Sequence, residues 1–281
     1  MRKQVAYLGP EGTYAEKAAN ILAKLANFES PIFVPCKGLH SVIKSLAYKN
    51  CDAAVVPIEN SVEGGVTATL DALWKYPNIN ISKAIVLPIK HALISSGQMS
   101  GISEILSHPQ ALAQCSEWIS DNLPEAIMLP TNSTSEAVNM VKGSSFRAAI
   151  GSKALIKIEG LQELAYPIND VPGNCTRFVL LSEQNLPDTA NIASFAFSLL
   201  TNDPGSLIEA LNCIAELGFN MSKIESRPSK RELGEYVIYI DVELNKKTSM
   251  VTFQTLKSRL EPLCEHFVDF GCYLSSNIKL E

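Results

Sequence analysis

From residue 4 to residue 150, short apolar runs of strand length alternate with amphipathic stretches of helix length. That alternation restricts this part of the chain to a parallel or mixed α/β sheet. Residues 4–8 read as a buried strand, followed by a glycine turn and a helix over 13–25. Strands near 32–35 and 53–56 and helices near 39–48 and 66–74 continue the series. Apolar stretches follow near 81–87, 91–95 and 105, then helices over 109–121 and 134–142 and a strand over 148–150. Residues 152–158 read as helical, and 176–181 as a last strand. Residues 183–190 are polar, aperiodic and contain Pro187, which marks a linker, set at 184–192. Beyond it the order is strand 193–200, helix 205–217, strands 220–227 and 235–243, helix 249–262 and strand 267–274. This βαββαβ series is ferredoxin-like.

At 281 residues the chain has room for two domains, each burying its own core. Hydrophobic residues at 46% and charged residues at 19% exclude a disordered or fibrous chain. A net charge of −5 argues against a nucleic-acid partner. No apolar run approaches the roughly 18 residues a membrane span requires. The start, Met1-Arg2-Lys3-Gln4-Val5, enters a strand directly and has no leader-like apolar region. Seven scattered cysteines without a Cys-x-x-Cys pair read as reduced packing thiols of a cytoplasmic protein. The four histidines, His40, His91, His108 and His266, lack metal-site spacing, so no metal is expected. Neither a phosphate-cradling P-loop nor a Gly-x-Ser-x-Gly elbow is present. Gly9-Pro10-Glu11-Gly12 lacks the third glycine of a dinucleotide fingerprint, so no cofactor is expected. The chemistry is left to ordinary side chains and backbone dipoles.

Small polar residues gather where strands give way to helices. Such junctions are Gly12-Thr13, the stretch Pro57-Ile58-Glu59-Asn60-Ser61-Val62-Glu63-Gly64-Gly65, His108-Pro109-Gln110 with Gln114, and Thr131-Asn132-Ser133-Thr134. Helix N-termini present unpaired N–H groups that hold anions, and ligands of open α/β sheets bind at the carboxyl ends of strands. Four junctions suit a small acid with more than one carboxylate. The competing reading is simple capping: Thr13-x-x-Glu16 and Ser133-x-x-Glu136 fit the capping box, and Pro109 suits a first helical position. The Glu59–Gly65 stretch resists that reading, because capping requires no glycine pair. Asn174-Cys175-Thr176-Arg177-Phe178, after the turn Pro172-Gly173, is a fifth polar feature.

On these segments the first part of the chain resembles the catalytic domain of prephenate dehydratase. The resemblance rests on Gly9–Tyr14, Pro57–Ser61, His108-Pro109-Gln110-Ala111-Leu112-Ala113-Gln114-Cys115, residues 132–137 and 174–178. Residues 193–274 resemble an ACT domain, most specifically at Ile224-Glu225-Ser226-Arg227-Pro228.

The resemblance implies a catalytic domain over 1–183, built as two lobes resembling type II periplasmic binding proteins. One lobe takes about 1–80 and 165–183, the other about 81–164, and an ACT regulatory domain spans 193–275. It implies loss of carbon dioxide and water from prephenate to give phenylpyruvate, without metal or cofactor. Thr176 is then expected at the departing hydroxyl, with Arg177 and Glu59 beside it in the catalytic set. Arg177 either takes a substrate carboxylate or braces its loop, and Glu59 is awkward beside an anion. Thr13, Asn60, Ser61, Gln110, Ser133 and Thr134 are expected to bind substrate. L-phenylalanine is the implied effector, at Gly205, Ser206, Leu207 and Ile208 with Glu225, Ser226, Arg227 and Pro228. A homodimer or homotetramer is implied. Arogenate dehydratase, which shares this architecture, and a non-enzymatic amino-acid sensor remain as alternatives.

Overall fold

The computed structural model describes residues 2–157, 160–183 and 189–279. The first lobe opens with β1 (Gln4–Leu8), α1 (Tyr14–Leu25), β2 (Ile32–Cys36) and α2 (Leu39–Ala47). It continues with β3 (Ala53–Asn60), β4 (Gly64–Gly65), α3 (Thr67–Lys75) and β5 (Asn80–Pro88). Strand β3 is apolar on both faces because both are covered. Ala53 and Val55 pack with Ala15, Ala18 and Leu22 of α1, whereas Ala54, Val56 and Ile58 pack with residues of α2 and α3.

The chain then crosses to a second lobe: β6 (His91–Ser95), β7 (Glu104–Ser107), α4 (Pro109–Ala113), α5 (Ser116–Asn122) and β8 (Ile127–Pro130). The lobe bounds expected near 81 and 165 both move later, because β5 pairs within the first-lobe sheet while Ile168 packs in the core of the second lobe and Asp170 caps its α5. Next come α6 (Thr134–Met140), β9 (Arg147–Ser152) and β10 (Gln162–Ala165), in the sheet order β10-β6-β9-β7-β8. A second crossing returns the chain to the first lobe as β11 (Cys175–Ser182), antiparallel to both β3 and β5. The single helix expected over 109–121 is two short ones. Asp170 accounts for the break: its carboxylate accepts from Glu117 N and Trp118 N, both at 3.0 Å, and so caps α5 from a distant loop. Strand β10 was not anticipated, and the helix expected over 152–158 is a 3₁₀ turn at Lys153–Lys157.

The C-terminal unit comprises β12 (Ile192–Leu199), α7 (Ser206–Glu216), β13 (Met221–Pro228), β14 (Tyr236–Glu243), α8 (Met250–Leu260) and β15 (Cys264–Asn277). Its strands lie in the order β13-β14-β12-β15, with both helices packed on one face. Most of the linker expected at 184–192 lies outside the described residues, and Ile192 already belongs to β12.

The final strand is longer than its apolar pattern suggests. Its first part pairs with β12, and its end, Leu274–Asn277, pairs in parallel with Lys83–Val86 of β5. One continuous sheet path therefore runs β13-β14-β12-β15-β5-β11-β3-β1-β2. The opposite face of the C-terminal unit packs Val237, Tyr239, Val268 and Phe270 against Leu70 and Leu73 of α3. Tyr239 donates to Leu70 O at 3.0 Å, and Trp74 meets the His266 ring edge-on with centroids 4.8 Å apart. Among the described residues, no helix is long and apolar enough to cross a membrane.

Candidate active site

The sheet register brings Thr176 of β11 opposite Asn60 of β3, and Arg177 opposite Glu59. Because side chains alternate along a strand, these two rungs present their polar groups to opposite faces. Toward the cleft between the lobes, buried Asn60 Nδ2 lies 2.9 Å from Thr176 Oγ1, 2.9 Å from Asn174 Oδ1 and 3.2 Å from Cys175 O. Its two hydrogens are shared among these three acceptors. Asn60 Oδ1 accepts from Val62 N and Glu63 N, which shapes the β3–β4 turn. Ser61 completes the join: its N donates to Cys175 O at 2.9 Å, and its Oγ accepts from Cys175 N at 3.0 Å.

Across the cleft, Glu63 reaches two glutamines of the second lobe. Gln110 Nε2 donates to Glu63 Oε2 at 2.6 Å, and Gln114 Nε2 donates to Glu63 Oε1 at 3.0 Å. Gln114 Oε1 accepts from Asn174 Nδ2 at 3.0 Å and lies 3.1 Å from His91 Nε2. Since Gln114 uses its nitrogen on Glu63, His91 Nε2 carries the proton it shares with Gln114. Burial pushes the His91 pKa below its usual 6.5, opposed by the Gln114 hydrogen bond, so the ring is neutral near pH 7. A polar chain thus runs from His91 and Glu63 through Gln114, Asn174 and Asn60 to Thr176. Sequence reasoning left His91, Glu63, Gln114 and Asn174 out of the site set. Glu63, Gln114 and Asn174 stood in segments already singled out, but their partners lie far away in the chain.

The other expected residues fall into place unequally. Thr13 caps α1, accepting from Glu16 N at 3.4 Å and donating to Pro10 O at 3.0 Å. Gly12 sits at φ +82°, and a Cβ there would lie 2.3 Å from Leu155 Cδ2 and 3.4 Å from Ser135 Oγ. The first-lobe loop is therefore in contact with the second lobe beside α6, and only glycine fits. Ser133 caps α6, its Oγ accepting from Glu136 N at 3.0 Å, and Thr134 opens that helix. Tyr14 anchors the first crossing: its hydroxyl donates to Lys90 O at 2.5 Å and accepts from Lys90 N at 3.0 Å.

Two expectations need correction. Glu59 and Asn60 do not sit at a helix entrance: β3 runs on through Asn60, and α3 starts only at Thr67 without a side-chain cap. Anion holding by a helix end does not apply to that stretch. Of the two roles open to Arg177, the carboxylate contact is the one that fails and bracing the one its position fits, since the side chain does not extend toward the cleft. Its guanidinium lies behind the sheet, 8% exposed, bonded to Asp241 and held at 2.8 Å from Glu59 Oε2 and 3.4 Å from Tyr273 Oη. Burial by itself would lower the Arg177 pKa, but Asp241, Tyr273 and Glu59 outweigh it and raise the value, so the charge is permanent. The same pairing removes the difficulty of a bare Glu59 beside an anionic substrate.

Of the expected effector residues, Gly205 holds φ +99° at the start of α7, a left-handed position that glycine tolerates. Leu207 packs on the core, Ile208 is exposed, and Ser206 Oγ lies 3.1 Å from Thr201 Oγ1. Glu225 and Arg227 of β13 turn toward the first lobe, where Arg227 pairs with Asp71 at 3.5 Å. A Cβ on Gly65 would collide with the Glu225 carboxylate. Ile224 and Ser226, alternating with them, face the side that carries the helices, and Pro228 closes the strand against Tyr236.

Comparison with known proteins places this arrangement. The family model "Prephenate dehydratase" matches residues 5–186. The prephenate dehydratase of Methanocaldococcus jannaschii is 37% identical over 88% of this chain and 90% of its own. That of Lactococcus lactis subsp. cremoris is 35% identical over 88% and 89%. The structure of an Arthrobacter aurescens prephenate dehydratase in complex with L-Phe superposes with a TM-score of 0.85 at 32% identity, covering 96% of this chain and 90% of that one. With its two lobes, its Asn60–Thr176 rung and this agreement over most of its length, the chain belongs to the prephenate dehydratase family of hydro-lyases.

Proposed function

We propose that the cleft between the lobes converts prephenate to phenylpyruvate, with Thr176 at the departing hydroxyl. In this 1,4-elimination the electrons of the ring-to-carboxylate bond enter the ring, carbon dioxide leaves, and the opposite C–O bond breaks. The departing hydroxide needs one proton, and aromatisation supplies the driving force. The observation that carries the reading is the Asn60–Thr176 bond at 2.9 Å. Asn60 donates to Thr176 Oγ1, which leaves the threonine hydrogen to be donated into the cleft. A threonine hydroxyl is a weak acid, so its contribution is orientation and relay rather than outright protonation.

Uncharged donors suit the two carboxylates, because they orient an anion without resisting loss of the ring carboxylate's charge. Gln110 and Gln114 are such donors from the second lobe, with Ser61, Thr13, Ser133 and Thr134 on the surrounding turns. Glu63 holds both glutamines here, and an entering substrate carboxylate competes with it for them. Arg177 and Glu59 act from behind the sheet. We assign residues 1–183 to this catalytic part.

The C-terminal unit is read as a ferredoxin-like ACT domain over 193–275 that senses phenylalanine and pairs with a second copy. Its strand order supports the fold, and the L-Phe bound to the Arthrobacter aurescens relative supports the ligand. Strand β13 is a sheet edge carrying exposed Ile224, which suits side-by-side pairing. Burial lifts the thiols of Cys115 and Cys264 to about 12, consistent with inert packing cysteines in a cytoplasmic enzyme.

The test is direct. Purified protein is incubated with prephenate and, in parallel, with arogenate, and the aromatic product is followed by absorbance. Formation of phenylpyruvate from prephenate is the expected result; turnover of arogenate alone, or of neither, overturns the reading.

A further inference from the structure

A buried carboxylate outside the matched catalytic segment holds the arginine that adjoins Thr176. Asp241 of β14 is 5% exposed and points at the first lobe. One of its oxygens bonds Arg177 Nη2, and the other accepts from Ser194 Oγ of β12 at 2.5 Å. Ser194 Oγ in turn lies 2.8 Å from Tyr273 Oη of β15. Asp241 is thereby fixed by two strands of its own unit and presents its charge to β11.

Asp241 grips β11 at the point where its pairing with β3, though not with β5, is irregular. Arg177 pairs with Glu59, but the next residue, Phe178, pairs with Pro57, so Ile58 is an extra residue and the register shifts. Pro57 also has no N–H to donate. On the β3 side, the rungs carrying Thr176 and Arg177 are therefore not continued by a regular backbone ladder. The ladder to β5 holds these rungs from the other side, through Thr176 opposite Leu87 and Arg177 opposite Val86. Toward β3, side chains add to it: Asn60 grips Thr176 on the cleft face, and Glu59 and Asp241 grip Arg177 on the other.

We propose that Asp241 is a positioning residue for the dehydratase reaction: by holding Arg177 it fixes the placement of Thr176 on β11, so catalytic competence depends on the C-terminal unit independently of any effector. The proposal rests on the assignment of Thr176 to the cleft chemistry. It implies that Asp241 acts on turnover rather than on substrate binding, since neither it nor Arg177 faces the cleft.

The experiment is a double-mutant cycle on the full chain with Asp241→Asn, Arg177→Gln and the double variant, reading kcat, KM and melting temperature with prephenate. Asp241→Asn keeps the shape and removes the charge. It is expected to lower kcat roughly tenfold or more with KM within about threefold of wild type. The double variant should be no slower than Arg177→Gln, because both changes remove one contact. Asp241→Glu should recover part of the lost kcat. Normal kcat in Asp241→Asn, a fall confined to melting temperature, or multiplicative losses in the double variant would overturn the proposal. If Asp241→Asn does not fold, Ser194→Ala loosens Asp241 more gently, and a lowered kcat at unchanged KM is again required. A wild-type protein inactive on prephenate would instead defeat the functional reading, so the two failures are told apart.

Discussion

Replacing Asn60 with alanine tests whether this residue is a substrate contact or the clasp of the site. The side chain is 6% exposed and links three neighbours through Nδ2 and two backbone N–H groups through Oδ1. In Asn60→Ala the losses are unequal. Cys175 O retains Ser61 N, and the N–H groups of exposed Val62 and Glu63 turn to water. Asn174 Oδ1 and Thr176 Oγ1 are left without their donor in a buried setting. At about 1–1.5 kcal/mol for each lost bond, the variant should lose about 2–3 kcal/mol of stability. For a chain of this size about 2–4 °C is lost per kcal/mol, so melting should fall by about 4–12 °C. Thr176 also loses the group that orients its hydroxyl, so kcat should drop as well. Thermal melting followed by circular dichroism, together with initial rates on prephenate, reads both effects. A variant that melts within about 2 °C of wild type, smaller than any clasp would give, while KM alone rises, would refute the clasp and make Asn60 a plain substrate ligand.

Thr176→Val keeps the shape and removes the hydroxyl; kcat should fall at least about 100-fold with little change in KM, and Thr176→Ser should retain more activity. Near-normal turnover in the valine variant would remove Thr176 from the chemistry. Gln110→Ala loses an exposed amide that donates to Glu63 here, so melting should hold while KM for prephenate rises by about 10- to 150-fold, the equivalent of one hydrogen bond to a charged group. His91 has a native pKa below its usual 6.5, so the unfolded chain binds the proton more readily; stability should decline as pH falls from about 6.5 toward the lowered native value, and be unaffected by this group above that window. Melting temperatures over that range, compared between wild type and His91→Gln, should show a shallower acid loss in the variant, and parallel curves would contradict the burial argument. Phenylalanine should inhibit at sub-saturating prephenate with a coupling of about 5- to 150-fold, and Gly205→Val should abolish its binding in calorimetry; no binding and no inhibition at millimolar phenylalanine would leave the C-terminal unit as a pairing module only.

Much of this protein is legible along the chain because its periodicities are local. The helix of Tyr14–Leu25 follows from a threonine cap and buried alanines and leucine at helical spacing, and β1 and β11 follow from short apolar runs. The segments that hold Thr176, Asn60, Ser61 and Gln110 stood out because their polar and glycine content exceeds what helix entry needs. What a side chain touches is another matter, since it depends on pairings between residues far apart in the chain, such as Asn60 with Thr176 and Gln110 with Glu63. Asn60 looked like a helix-entry residue, but the pairing of β3 with β11 makes it a strand residue clasping Thr176. For Arg177 the sequence leaves a carboxylate contact and a bracing role equally open, because a Thr-Arg pair says nothing about which face each side chain takes. The alternation of the strand turns it away from the cleft toward Asp241, 64 residues on in the chain. The end of β15 carries no local mark of its pairing with β5, because hydrogen bonds between distant strands leave no periodicity of their own. Sequence alone determined most of the elements, the family and the polar segments from which the candidate site is drawn. Tertiary structure decided the partners: one sheet runs from the first lobe into the C-terminal unit, and the carboxylate of Asp241 that pairs with Arg177 of β11 comes from that unit.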